Sequence, residues 1–197
     1  MLTKREQKAQ ATLQKILEAA AEIFSQYPLN IASIDDIAAN AGVSRSSIYR
    51  YCDGKEDFLL RVVEWERKRA IQSLRLAIAH EQTAQKRLEM YFKKQMIITA
   101  RLSAFLKLNR KLIAKSPGIR QNFDEFTREE KKLVENILRF GRERSEFAIE
   151  DFEQNAAIIV EIMGYMRIFQ AESGKTIEEM SENLLKFAEI LRMSFEK

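Results

Sequence analysis

The stretch SIDDIAANAGVSRSSIYRYCDGK, residues 33–55, decides the fold of this chain, because it predicts two short helices joined by a tight turn. Apolar residues recur at helical spacing in its first half, so the first helix has one buried face that includes Ile37. Gly42 supplies the positive φ that a sharp turn between helices needs. Ser44 is a good N-cap for the second helix, whose buried residue is Ile48. The pattern is typical of a helix-turn-helix.

The second helix of this motif leaves polar side chains exposed at its start. Arginine, serine and tyrosine in such a place fit the major groove of DNA, where side chains read base edges and contact phosphates. We therefore expect a DNA interface built from the exposed residues of this helix, which are Arg45, Ser46, Ser47, Tyr49, Arg50 and Tyr51.

The composition favours an all-α protein of 197 residues. Only two prolines and six glycines occur, against 46% hydrophobic and 31% charged residues. One cysteine, Cys52, cannot form an internal disulfide, and the first twenty residues lack the apolar run of a secretory signal. The most apolar run, 156–169, is interrupted by charges and is shorter than the roughly 20 residues that cross a bilayer. We therefore expect a cytoplasmic protein with no membrane segment.

The net charge of +4 is unevenly distributed. Residues 56–115 hold fourteen Lys or Arg and six Asp or Glu, a net charge of +8, whereas residues 1–55 hold a net charge of only +1. The basic segment 86–115 leaves two interpretations open. It is either a solvated helix face or a surface that attracts an anionic ligand through Lys107, Arg110, Lys111 and Lys115.

Helical periodicity and capping signals divide the chain into about nine helices. The first is expected over residues 11–27 and ends at Pro28, and the second opens at Ser33 with Asp36 three residues on, a capping-box pattern. The same pattern predicts helix starts at Asp53 and Thr176. The third follows Ser44. The remaining helices are expected from Asp53 to near His80, over 83–115, where a kink or break is the alternative to one continuous helix, after Pro117, over 150–172 and from Thr176 onward.

The helix at 150–172 is apolar on nearly all sides. Such a helix needs more cover than one chain easily supplies, and dimerisation would supply it. We expect a homodimer through the two C-terminal helices, which would also pair two DNA-reading units. The alternative is a monomer in which this helix is simply the core.

The segment ILEAAAEIFSQYPLNIASIDDIAANAGVSRSSIYRYCDGKEDFLL, residues 16–60, resembles the TetR family of bacterial transcriptional regulators. The resemblance implies a three-helix DNA-binding domain over 1–54 and a larger helical ligand-binding and dimerisation domain over 55–197. It implies a repressor that binds a palindromic double-stranded operator and is released by a small hydrophobic effector. An alternative is a DNA-binding protein whose C-terminal domain docks another protein.

Carried over by position, the resemblance assigns roles within the DNA interface. Arg45 and Ser46 would face base edges and adjacent phosphates, and Tyr49 and Tyr51 would contact phosphates. Ser33 and Ser44 would cap helices and touch phosphate, and Lys55 would contact phosphate at the start of the fourth helix. An arm would form from Lys4, Arg5 and Lys8. The chain departs from the family at Cys52, where phenylalanine is usual, and at Ser46, where glycine is frequent.

Methionine and aromatic side chains of the second domain are candidates for lining an effector cavity, since both suit adaptable apolar sites. An enzyme is not expected, because the chain has a single histidine, no cysteine cluster with zinc spacing and no glycine-rich phosphate loop. We expect no cofactor and no metal. The candidate effector residues are Met90, Met96, Phe105, Phe123, Phe126, Phe140, Met163, Met166 and Phe169.

Overall fold

The computed structural model describes residues 3–173 and Lys186, and within this part of the chain every regular element is an α-helix. The all-α prediction is thereby confirmed for the described residues. The predicted last helix, from Thr176 onward, lies outside them. The helices are α1 (Lys4–Gln26), α2 (Ile34–Ala41), α3 (Arg45–Ile48), α4 (Lys55–Ala79), α5 (Ala84–Lys115), α6 (Pro117–Glu143) and α7 (Phe152–Ser173).

The first helix begins seven residues earlier than predicted. Thr3 caps it by accepting a hydrogen bond from the Glu6 N–H at 3.3 Å, and the Glu6 carboxylate accepts from the Thr3 N–H at 2.7 Å. This reciprocal capping box satisfies backbone groups that the first turn leaves without partners. The predicted basic arm is therefore wrong as a separate element, because its residues lie in the first two turns of α1.

The predicted boundaries of the middle helices are confirmed to within two residues. α4 ends at Ala79, and α5 runs without a break over 32 residues to Lys115. α6 then begins at Pro117, which suits the first position of a helix because its missing N–H needs no partner there. At the start of α4 the Asp53 N–H donates to the Asp57 carboxylate at 3.0 Å, although the capping pattern pointed to Glu56.

The chain forms two compact units, and neither is a continuous segment. The first holds residues up to 67 together with 104–122, and the second holds 68–103 together with 123 onward. The first unit extends past the predicted boundary at residue 54, because residues of α4 and of 104–122 bury their side chains in its core. This core includes Phe24, Ile37, Ile48, Phe58, Leu59, Val62, Phe105 and Ile119.

Asn109 ties three segments of the first unit together. Its Oδ1 accepts from the Leu29 N–H at 3.1 Å, and its Nδ2 donates to the carbonyls of Phe24 at 3.1 Å and Phe105 at 3.0 Å. The side chain is 3% exposed. A buried amide with all of these bonds made fixes the chain segments that it joins.

The second unit has a core of its own. Buried residues from α4, α5, α6 and α7 contribute to it, with Tyr91 and Phe92 packed at 5.3 Å between ring centroids. α6 ends where the chain turns back at Ser145, which has φ 58°, so that Phe147 packs onto Gly141. Among the helices of the described residues, none combines the length and the apolar character needed to cross a membrane.

Candidate functional site

The predicted helix-turn-helix is present, and its turn is built around Gly42. This residue has φ 65° and ψ 36°, the left-handed conformation that glycine adopts without strain. The Gly42 N–H donates to the Ala39 carbonyl at 3.2 Å, and the Val43 N–H donates to the Ala38 carbonyl at 3.0 Å. These bonds close the end of α2 and set the direction in which α3 leaves.

Serine side chains cap both helices of the motif, as predicted. Ser33 accepts from the Asp36 N–H at 3.0 Å, and its hydroxyl donates to the Asp36 carboxylate at 2.6 Å. Ser44 accepts from the Ser47 N–H at 3.2 Å. The Ser44 hydroxyl also lies 2.9 Å from the hydroxyls of both Ser46 and Ser47, so three hydroxyl groups cluster at the start of α3.

Arg45 projects from the start of α3 and is held by two neighbours. Its Nη1 lies 3.0 Å from the Asp35 carboxylate on α2, and its Nη2 donates to the Tyr49 hydroxyl at 3.3 Å. The hydrogen bond with Tyr49, followed by the charge of Asp35, raises the pKa of the guanidinium. Arg45, Ser46, Tyr49 and Arg50 are all exposed. This part of the motif is therefore available for contact.

Three other predicted contact residues donate hydrogen bonds within the protein itself. The Tyr51 hydroxyl donates to the Ala9 carbonyl on α1 at 3.5 Å, and the Lys55 ammonium donates to the Leu29 carbonyl at 3.3 Å. Arg50 donates to the Ser47 hydroxyl at 3.3 Å. The phosphate contacts assigned to Tyr51 and Lys55 stay predictions, and each would require the side chain to exchange its present partner.

Cys52, one of the two departures that the resemblance implied, is buried in the core of the first unit. It is 3% exposed, and its thiol donates to the Ile48 carbonyl at 3.6 Å. Phe24 and Phe58 belong to the same core and meet edge to face at 6.1 Å between centroids. Burial raises the pKa of the Cys52 thiol.

A cleft of about 720 Å³ lies beside Lys55 in the first unit. Its walls combine apolar side chains, such as Leu29 and the 39% exposed Leu108, with the exposed cations Lys107 and Lys111. Part of the basic segment thus borders the same cavity as Lys55. Both interpretations of that segment, a solvated helix face and a surface for an anionic ligand, stay predictions.

The candidate effector residues fall into different places. Met96 and Met163 are buried in the core of the second unit, Phe126, Phe140 and Met166 pack against it half-buried, and Met90 is half-buried. Phe123 is 37% exposed. Phe105 belongs instead to the core of the first unit, so the structure does not bring it together with the others. The side chain of Phe169 lies outside the described residues.

A buried polar cluster, formed by Tyr91, Gln95, Glu130 and Arg167, lies in the second unit. Glu130 is completely buried, and its Oε1 accepts from the Tyr91 hydroxyl at 2.7 Å, from the Gln95 amide and from Arg167 at 3.1 Å. Arg167 also reaches Oε2 at 3.2 Å and lies 5.4 Å from the ring centroid of Phe126. One atom of the cluster, Gln95 Oε1, has no hydrogen-bond partner among the described residues.

Burial dominates the titration of this cluster. It raises the pKa of Glu130, although the Arg167 charge and hydrogen bonds from Tyr91 and Arg167 act in the opposite direction. Burial also raises the pKa of Tyr91 well above its ordinary value, and the nearby Glu130 charge adds to this effect. The tyrosine therefore remains a hydrogen-bond donor at neutral pH.

The sequence interpretation missed this cluster and also missed Asn109. A signal for both was present, because each polar residue occupies a position in an apolar helical stripe. Glu130 stands between Phe126 and Leu133, and Asn109 stands between Phe105 and Leu112, at spacings of three and four. A polar residue in such a position is expected to be buried and partnered.

Known proteins resemble this chain most specifically in the helix-turn-helix region. Residues 16–62 match the family described as "Bacterial regulatory proteins, tetR family". The HTH-type transcriptional regulator AcrR of Shigella flexneri is 39% identical over 66 residues, which cover 34% of this chain and 30% of AcrR. The match thus spans about a third of the length of that relative.

Solved structures resemble the whole fold. A transcriptional regulator from Cytophaga hutchinsonii superposes with a TM-score of 0.80 at 23% identity, over 94% of this chain and 98% of the other. The transcriptional regulator FadR from Bacillus subtilis, solved in complex with stearoyl-CoA, gives 0.70 at 20% identity, over 89% and 97%. The chain therefore has the fold of these regulators and carries, in residues 16–62, a segment that matches the tetR family of bacterial regulatory proteins.

Proposed function

We propose that this chain regulates transcription by binding a palindromic DNA operator as a homodimer. The observation that carries the proposal is the helix-turn-helix over residues 33–51, in which Arg45 and Tyr49 are exposed beside a cluster of serine hydroxyls. Side chains at the start of such a helix contact base edges in the major groove. A two-fold axis would pair two readers with half-sites about 34 Å apart, one turn of DNA.

The exposed face of α7 supports the homodimer. Ile158 is 47% exposed, Tyr165 is 73% exposed, and Ile162 is half-buried between them. Residues at these spacings share one helical face, while Ile159 and Met163, further around the helix, are buried in the core. Apolar exposure of this kind is typical of a self-association surface, and we place the interface on α7 together with the predicted last helix.

The proposed regulator is a repressor that a small effector with apolar character releases from DNA. Adaptable side chains, Met163, Met166 and Phe126 among them, belong to or pack against the same core as Tyr91 of the buried polar cluster, and Phe126 contacts Arg167. The FadR structure with stearoyl-CoA is consistent with this proposal, since a regulator of the same fold binds a small molecule. Binding at one site would change affinity at the other only through differential contacts with two states of the protein.

A second candidate function is docking of another protein on the second unit. It is favoured by large apolar side chains in the open, since Leu76 is 57% exposed and Ile97 is 52% exposed. A thermal-shift screen with a library of hydrophobic compounds separates the two candidates. Stabilisation by a compound favours the effector function, whereas no stabilisation together with capture of a partner protein favours docking.

Selection of bound DNA from a random pool with the purified protein tests the central proposal. We expect a palindromic sequence to be enriched, and we expect its affinity in a gel-shift titration to fall steeply as salt is raised. A sedimentation measurement in parallel should give the mass of a dimer. If no sequence is enriched, DNA regulation by this chain is refuted.

A further inference from the structure

The buried polar cluster of the second unit has unused capacity to accept hydrogen bonds. Gln95 is fully buried, and its Nε2 donates to Glu130, which leaves its Oε1 without a partner among the described residues. Reversal of the amide would direct Oε1 at a carboxylate, so the present orientation is the favourable one. An acceptor that stays unmet in a dry interior destabilises the fold until a donor reaches it.

The Glu130 carboxylate has a second place for a donor. Among the described residues its Oε1 takes three bonds, from Tyr91, Gln95 and Arg167, whereas its Oε2 is reached only by Arg167, at 3.2 Å. Each carboxylate oxygen has two lone pairs. The unused capacity of the cluster therefore consists of acceptors on Gln95 and Glu130.

The surroundings of these acceptors suit an apolar molecule. Phe126 stands one helical turn before Glu130 on α6, and its ring lies against the Arg167 guanidinium. Met163 stands one turn before Arg167 on α7 and is buried, with Met166 half-buried beside it. Methionine side chains repack readily around ligands of different shape.

The charges of the cluster distinguish between possible head groups. A carboxylate effector would meet the buried Glu130 charge and would offer no hydrogen to Gln95. A protonated amine supplies hydrogen atoms to both acceptors and a counter-charge to Glu130. The Arg167 side chain is 20% exposed, so solvent partly screens its charge. This screening lowers the repulsion between Arg167 and a second cation nearby.

We infer that the second unit binds an apolar primary amine, with Gln95 Oε1 and Glu130 Oε2 accepting from its ammonium group. The inference rests on the proposed function, because it specifies the chemistry of the effector. In this arrangement Tyr91 and Arg167 are positioning residues that orient the Glu130 carboxylate.

Three probes with the same alkyl chain test the inference on the wild-type protein. Isothermal titration calorimetry at pH 7 with n-octylamine, 1-octanol and octanoate compares a cationic donor, a neutral donor and an anion below their micellar concentrations. We expect octylamine to bind at least about tenfold more tightly than either other probe, because it alone satisfies both acceptors and the charge. Equal affinities, or a preference for octanoate, would overturn the inference.

Two substitutions and a matched control locate the site. Glu130→Gln should weaken octylamine binding about tenfold, since it removes the negative charge and one acceptor oxygen, and leave octanol binding nearly unchanged, since Gln95 Oε1 still accepts from a hydroxyl. Glu153→Gln, the same change at an exposed position of α7, should leave all affinities unchanged. Gln95→Met keeps the volume but removes the free acceptor, and it should weaken octylamine binding if Glu130→Gln does not fold. Wild-type octylamine affinity in either folded variant contradicts the assignment.

Measurement of DNA binding in the same preparation separates this inference from the proposed function. Wild-type protein that binds a selected palindrome but does not prefer octylamine refutes the amine site alone. Wild-type protein that enriches no DNA sequence refutes the proposed function, and the calorimetric preference then still decides whether the amine site exists.

Discussion

In the helix-turn-helix, a side chain that is bonded within the protein can still be exposed to solvent. Arg45 and Asp35 form an ion pair whose side chains are 58% and 65% exposed. An ion pair this exposed to solvent contributes little to stability, because water screens both charges and both side chains lose rotamer freedom. The Arg45 guanidinium can therefore exchange Asp35 for an acceptor on DNA at small cost. Until then, Asp35 and Tyr49 hold the guanidinium.

Different losses are expected when Arg45 of the helix-turn-helix and Lys55 at the start of α4 are substituted. Arg45→Ala should lower the ratio of specific to non-specific affinity about tenfold, because a guanidinium contacts base edges. Lys55→Gln should weaken binding to every sequence alike and lower the salt slope by about two in a dimer, one phosphate per protomer. Gel-shift titrations at several salt concentrations measure both quantities. Unchanged values for both variants would refute the proposed docking of this motif.

The Cys52 thiol should react slowly in the native protein. It is buried, and its raised pKa leaves little thiolate at neutral pH. Since the thiolate is the nucleophile, modification by Ellman's reagent should be slow in buffer and become fast in urea. A rate in buffer equal to the rate in urea would show that the Cys52 packing described above is absent.

At the scale of the helical element, capping could be predicted from sequence, whereas buried polar contacts could not. The caps at Ser33 and Ser44 are confirmed, because a cap depends on residues only three positions apart. The partners of Asn109 lie 80 and 85 residues away at Leu29 and Phe24. No local pattern encodes such a pairing, so it becomes visible only when the helices are assembled.

Close approach explains why a glycine stands near the end of α6. A Cβ on Gly141 would lie 2.8 Å from the Ala84 Cβ and would overlap the Phe147 ring. Gly141→Ala should therefore lower the free energy of unfolding by about 1–3 kcal/mol, as overpacked cores do. Gly164→Ala is the matched control, since the nearest described side chain to a Cβ at this position, Arg167, is 3.7 Å away. Urea denaturation measures both, and equal effects would contradict this packing.

Gly164→Ala should itself stabilise α7 or leave it unchanged. Alanine is the better helix former by about 1 kcal/mol in an exposed helix interior, and the contact with Arg167 is an ordinary one. The opposite signs expected at Gly141 and Gly164 distinguish a local clash from a general effect of the substitution.

At the scale of the whole molecule, the buried Glu130 makes stability depend on pH. Its folded-state pKa is raised above the ordinary value of 4.5, mainly by burial and against the effect of Arg167. The folded chain therefore holds this proton more tightly than the unfolded chain. The resulting stabilisation is fully present below about pH 4.5 and is lost as pH rises through the folded-state pKa.

Urea denaturation of wild type and Glu130→Gln from pH 4 to pH 8 measures this contribution. The free energy of unfolding of wild type, taken relative to the variant, should decrease as pH rises, because glutamine does not titrate. Glu153→Gln should show no such trend relative to wild type. A difference that increases with pH would mean that Glu130 is stabilised as the carboxylate.

The fold class and the helix-turn-helix were predictable because both follow from periodicity and turn chemistry. The assignment of residues beyond position 54 to two separate cores was not predictable. Phe105, in the core of the first unit, has the same apolar character as the residues in the core of the second unit. Which core a residue of a long helix enters depends on where the helix meets its neighbours. That position is determined by the tertiary structure and cannot be read from the local sequence.

The hydrogen bonds of Asn109 affect which segments of this protein can be transferred into a chimera with another protein. A DNA-binding fragment that ends at residue 54 would lack several residues of the core of the first unit, among them Phe58, Leu59, Val62, Phe105 and Ile119. Such a fragment would also leave the Leu29 N–H without the amide that holds it. A chimera that transplants the DNA specificity of this chain should therefore take residues 1–67 and 104–122 together, as one interleaved graft.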